Sequence, residues 1–283
     1  MNELGFHCHD LNHFETVIVS NGLLRGEFYN FSPETLTSLA LEIERHHLSS
    51  SVHTPLVKSP WYPSPPTLSY LCDVDEGRRR LSRRMVEETM ETAADFGAEY
   101  VVVHFPTPPL AGVDGIGYTG LRSIAWDSAV FLAELGQKHQ VQVHMEGFGP
   151  SPFLTPEFIT EVVSQLPWLR YCFDVGHMHV ASIRDGFDLY QFARQVAPCV
   201  GSVHLWNNRG AEDYFSFGHI PVHPSQKPEE GWVDVARILG ILTSGSPGCR
   251  IILESGVHYP KVLGKHDFRD GVKWVKELLG VSS

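Results

Sequence analysis

The segments Val141-Gln-Val-His-Met-Glu146, Pro156-Glu-Phe-Ile-Thr-Glu-Val-Val-Ser-Gln165 and Arg170-Tyr-Cys-Phe-Asp174 follow one another with short gaps. The first and third are brief apolar runs that end in a carboxylate. The second is amphipathic and is entered through Thr155-Pro156-Glu157, an N-cap residue followed by a proline at the first helical position. A strand, a helix and a second strand in this order make a parallel β-α-β unit.

The same alternation extends in both directions. Further strand-like runs lie at 4–9, 24–29, 50–53, 100–104, 201–205 and 250–254, which with 141–146 and 170–174 makes eight. Helix-like stretches lie at 33–46, 76–96, 121–139, 189–196, 233–242 and 268–279, with a weaker one at 10–20. Ser32-Pro33-Glu34 repeats the capped-proline entry, and Gly97 follows a helix end. Eight β-α repeats in 283 residues predict an α/β protein: one (β/α)8 TIM barrel in a single domain over 1–283. An open doubly wound sheet is the alternative. It normally carries a Gly-rich phosphate loop after its first strand, and Gly5-Phe-His-Cys-His9 is no such loop.

Composition narrows the function. The formal net charge is −11, so the chain gains little counterion-release affinity, and nucleic acid is disfavoured as a partner. Five cysteines, Cys8, Cys72, Cys172, Cys199 and Cys249, form no CxxC pair, which predicts reduced, mostly buried thiols. No leader pattern and no membrane-length apolar run is present, which predicts a cytoplasmic protein. A homo-oligomer is compatible with everything read so far.

The strand ends carry the chemistry. Six successive strands finish in His53, His104, Glu146, Asp174, His204 and Glu254, and His177 follows Asp174 by three residues. In a barrel the strand C-termini open at one mouth. Carboxylates and imidazoles crowded there repel and desolvate one another unless a cation joins them. Any single histidine after a strand is ordinarily a hydrogen-bonded loop residue. Six in succession point to a divalent metal. Mixed imidazole and carboxylate ligands suit manganese, zinc or cobalt, with one ion favoured and two or three compatible. Glu146, Asp174, His204 and Glu254 are the primary ligand candidates. His53, His104 and His219 are further ones. His7, His9, Glu27 and His223 could line the mouth or simply fill space. His46, His47, His139, His144, His179, His258 and His266 read as structural or surface, although His144 shares a strand face with Glu146. Two long segments after strands, 54–75 and 206–231, are expected to be binding loops; Trp61, Tyr62, Trp206 and Trp232 lie in or beside them.

His-Met-Glu at 144–146, Phe-Asp-Val-Gly-His at 173–177, Val-His-Leu-Trp-Asn-Asn at 203–208 and Ile-Leu-Glu at 252–254 together resemble the xylose isomerase-like barrel superfamily. That group joins sugar isomerases and epimerases with the endonuclease IV class, AP endonuclease family 2. The resemblance implies a metal quartet at Glu146, Asp174, His204 and Glu254. It also implies an isomerase or epimerase of a sugar or sugar phosphate that passes through an enediolate, with Glu146 and Glu254 moving the proton. His177 and Arg209 would bind substrate oxygens. The alternative it implies is a zinc phosphodiesterase. His53 and His104 match the extra histidines of that branch, but Phe217-Gly-His219 replaces its Asp-x-His.

Overall fold

The computed structural model describes residues 3–63, 65, 67–107, 116–147 and 149–281. In chain order its elements are β1 (Leu4–Cys8), α1 (Leu11–Val17), β2 (Arg25–Phe28), α2 (Leu36–Arg45), β3 (Ser49–His53), α3 (Glu76–Asp95), β4 (Tyr100–His104), α4 (Gly117–His139) and β5 (Gln142–Glu146). There follow α5 (Pro156–Gln165), β6 (Leu169–Asp174), α6 (Val175–Asp185), α7 (Leu189–Val196), β7 (Val200–Leu205), α8 (Ala211–Phe217), α9 (Val235–Gly245), β8 (Arg250–Leu253) and α10 (Phe268–Leu279). The eight strands close into one barrel in sequence order, β1 beside β8, a (β/α)8 TIM barrel.

Grouped by packing, the chain has two units whose boundaries fall inside β2 and β6. In one unit, which holds β1 and everything from Phe173 onward, β8 is flanked by β1 and β7. Leu4 pairs with Ile251, and His204 pairs with Ile252. Below the strand ends, the buried Arg25 guanidinium is held by Glu3 at 2.7 and 2.9 Å, and its stem occupies the space that a side chain at Gly5 would need. In the other unit β4 sits between β3 and β5, with His53 beside Val102, and His104 paired with Glu146. Here Tyr100, Val102 and Cys172 form a buried cluster, and the His144 ring lies flat on Tyr100 at 3.9 Å. His144 is therefore core filling, as its apolar surroundings require.

Every predicted strand is present, with ends shifted by at most one residue. Several helices differ from expectation. The stretch at 10–20 is shorter, α1 followed by a 3₁₀ turn at Val19–Asn21. Helix α2 begins late, behind a 3₁₀ turn at Pro33–Thr35, and Ser32 does not cap it. Thr155 does cap α5, accepting from the Phe158 N–H at 3.3 Å. Helices α6 and α8 were not expected. Among the described residues, no helix is long and apolar enough to cross a membrane.

Candidate functional site

Three strand-end residues meet in the second unit. His53, His104 and Glu146 are all buried, and their ligand-capable atoms lie within 4.8 Å of one another. His53 Nε2 is 3.1 Å and His104 Nε2 3.4 Å from the same oxygen, Glu146 Oε2. The other nitrogen of His53 fixes its tautomer. Nδ1 stands 3.0 Å from the Thr54 main-chain carbonyl, which only accepts, so Nδ1 carries the proton. Nε2 then either bears a second proton, giving an imidazolium paired with Glu146, or turns a lone pair toward the carboxylate. The second arrangement is repulsive unless a cation sits with both groups.

The first unit holds Asp174, His177, His204, His219 and Glu254. Glu254 lies one residue beyond β8. Its Oε1 is 3.2 Å from His7 Nδ1, and its Oε2 is 3.1 Å from His204 Nδ1 and 3.8 Å from His219 Nδ1. Burial disfavours the charged carboxylate, but the surrounding imidazoles of His204, His219 and His7 outweigh it and hold the group well below the usual range. Glu254 Oε2 is enclosed and yet accepts no aligned hydrogen bond, despite the nearness of His204. The His219 Nδ1–H donates to the Glu254 main-chain carbonyl at 2.9 Å, so its Nε2 lone pair faces away from that contact.

Asp174 ends β6 and is also the N-cap of α6. Its Oδ1 accepts from the His177 N–H at 2.6 Å, and its Oδ2 accepts from the Trp206 indole Nε1–H at 2.9 Å. The helix that follows was hidden in the sequence because the residue that starts it reads as a metal ligand, and Gly176 sits in its first turn. The His177 ring stands edge-on to Trp206, Tyr214 and His219 at 5.2–5.3 Å between centroids. His219 lies parallel over Trp206 at 4.1 Å.

Each polar residue of the 203–208 motif has a partner. His204 reaches Glu254. Asn207 Nδ2 donates to Gln226 and to the Val233 carbonyl, while its Oδ1 accepts the Val233 N–H. Asn208 Nδ2 donates to the Gly176 carbonyl. These side chains stitch the long loop after β7 to α6 and to the start of α9. Arg209 is bound through Nε and Nη2 to both oxygens of Asp213 at 2.8 and 2.9 Å, with its guanidinium over Trp232. Its hydrogen bonds hold the Asp213 carboxyl below its ordinary value.

Two participants were not given a definite role in the sequence. His7 contacts Glu254, and its place near the end of β1 was the available signal. Trp206 was read as a loop aromatic, but it is fully buried and bonded to Asp174. No residue pattern announces that contact, because it depends on the space left by Gly176.

No curated protein matches the chain by sequence. Solved structures do match by shape. A D-tagatose 3-epimerase-like protein superposes with a TM-score of 0.72 at 18% identity, covering 99% of this chain and 97% of that one. The 3-keto-D-glucoside 4-epimerase of E. coli, in apo form, gives 0.66 at 15% identity, covering 98% and 100%. The IOLI protein with a binding zinc atom gives 0.69 at 17%, covering 98% and 96%. At such identities the likeness establishes the fold. The sequence itself goes further: residues 3–278 match the family model for the xylose isomerase-like TIM barrel, and the chain belongs to that family.

Proposed function

We propose that the chain is a divalent-metal-dependent isomerase or epimerase of sugars or sugar phosphates. The observation that carries this reading is the convergence of unlike donors within one unit: ligand atoms of Asp174, His204 and Glu254 lie within 4.8 Å of one another, and Glu146 is proposed as the fourth ligand. Three carboxylates and an imidazole suit manganese, zinc or cobalt. The enclosed, poorly bonded Oε2 of Glu254 fits a group that has a cation for a partner. Solved neighbours named as sugar epimerases, and one with a zinc atom, support the same choice.

In this reading Glu146, Asp174, His204 and Glu254 hold one ion. When bound, it polarises a substrate carbonyl and steadies the negative charge that develops beside it. Glu146 and Glu254, from β5 and the end of β8, take and return the proton on the carbon next to that carbonyl. Return to the opposite face inverts the centre, and return to the neighbouring carbon isomerises the sugar. His53 and His104, with their Nε2 atoms 3.1 and 3.4 Å from Glu146 Oε2, position its carboxylate. His177 hydrogen-bonds a substrate oxygen. Arg209 keeps Nη1 for another, since Nε and Nη2 are committed to Asp213.

Isotope exchange tests this. The Mn²⁺-loaded chain is incubated with ketoses and aldoses in D₂O and followed by NMR. Metal-dependent entry of deuterium beside the carbonyl, abolished in Glu146→Gln, supports the reading. Exchange at the wild-type rate in Glu146→Gln overturns it.

The His53–His104–Glu146 group favours a second reading, a zinc phosphodiesterase with more than one ion. Two or three zincs per chain, reduced by His53→Ala, together with cleavage of abasic DNA and no sugar exchange, would select it.

A further inference from the structure

Trp206 is the largest fully buried side chain of the described residues, and it stands at the start of a loop on the mouth side of β7. A residue there is expected to face solvent or substrate. Its indole instead points its only polar atom at Asp174 Oδ2, 2.9 Å away, in a fully buried contact. We propose that Trp206 is a positioning residue that orients Asp174 for the metal, an inference that rests on the metal reading above.

Asp174 is pinned by two N–H donors from different elements, the main chain of α6 on Oδ1 and the indole on Oδ2. One donor would leave the carboxylate free to swing about its side-chain torsions. Two donors fix its plane. Donors of this kind on a ligating carboxylate are typically worth about 10- to 100-fold in metal affinity. The indole is itself held. Gly176 leaves the space the ring occupies, Asn208 ties the Gly176 carbonyl at 3.1 Å, and His219 lies flat over the ring at 4.1 Å. His177, whose N–H supplies the other donor, packs edge-on against the same indole. The aromatic group thus acts on Asp174 through hydrogen bonding and steric fit and makes no demand on the reacting atoms.

The test is Co²⁺ binding, read from affinity and from the visible spectrum of the bound ion, in the wild type, Trp206→Phe and Trp232→Phe. The last removes a buried indole that packs with Ile220 and Tyr259. We expect Trp206→Phe to weaken Co²⁺ binding about 10- to 100-fold and to alter the spectrum, with Trp232→Phe unchanged in both. Wild-type affinity and spectrum in Trp206→Phe overturn the inference while the metal reading stands. Failure of the wild type to bind Co²⁺, Mn²⁺ or Zn²⁺ overturns both. Should Trp206→Phe not fold, ¹⁵N-indole NMR of the wild type decides. Zn²⁺ must displace one buried indole N–H resonance, and no displacement overturns the inference.

Discussion

Gly176 and Trp206 occupy space that admits one side chain only: a β-carbon on Gly176 would overlap atoms Cε2, Cδ2 and Cζ2 of the indole. The ring is fully buried against His177, Tyr214 and His219 and cannot retreat without repacking. Gly176→Ala is therefore expected to destabilise the fold by about 1–3 kcal/mol, read from urea denaturation. An unchanged midpoint would mean that the ring has room the structure does not show.

Asp174 joins a helix cap to a carboxylate that faces the site, and substitutions separate the two roles. Asn still caps well through its oxygen, but its NH2 group faces the Trp206 indole N–H, which loses its acceptor, at a cost of about 1–3 kcal/mol. Ala forfeits both contacts. The expected order of melting temperature is wild type, then Asp174→Asn, then Asp174→Ala. Co²⁺ binding is expected to fall sharply in both variants, and equal binding in Asp174→Asn and wild type would remove Asp174 from the ligand set.

The thiols should be silent. Burial pushes Cys72 up to about 12 and Cys249 up to about 11, and all five cysteines are buried and outside any disulfide. Protonated, enclosed thiols are poor nucleophiles. Titration with a chromogenic disulfide at pH 8 should find no fast-reacting thiol in the native protein and five after denaturation. A fast-reacting thiol in the native state would contradict the packing.

The Asp213 carboxyl is held down by hydrogen bonds from Arg209. A depressed folded value means the pair stabilises the protein above the ordinary aspartate range. That contribution disappears as pH falls through the lowered value. Because Arg209 is more than one-third exposed, its worth is below about 1 kcal/mol. Asp213→Asn should therefore lower stability slightly at neutral pH, with the difference from wild type vanishing at the acid end of a pH–denaturation series. A constant difference at all pH values would count against an electrostatic origin.

The barrel was legible because its strands are short β-branched runs ended by charged or imidazole side chains, a pattern that survives without tertiary context. Strand β4 was read to the residue, and Glu254 only slipped from the end of β8 to the position after it. The grouping of His53, His104 and Glu146 also follows from strand order alone. What stayed hidden depends on space. Helix α6 begins with Val175 and Gly176, weak helix formers whose presence makes sense only once the indole of Trp206 is seen beside them. Helix α8 has seven residues and a glycine in place of a capping side chain, too little for periodicity to register. Ser32 looked like a cap, but its hydroxyl lies 3.3 Å from the Thr35 hydroxyl instead of bonding a helix N–H.

The main-chain carbonyls of Thr54 and Glu254 each claim the Nδ1 proton of one histidine, His53 and His219. The backbone, not any guest, decides which way those rings present their remaining nitrogen. Each of these two rings is thus oriented by a main-chain contact within its own unit. On the metal reading proposed above, an ion stripped by a chelator would leave those rings already turned for its successor, so exchanging one divalent ion for another would need no step of refolding.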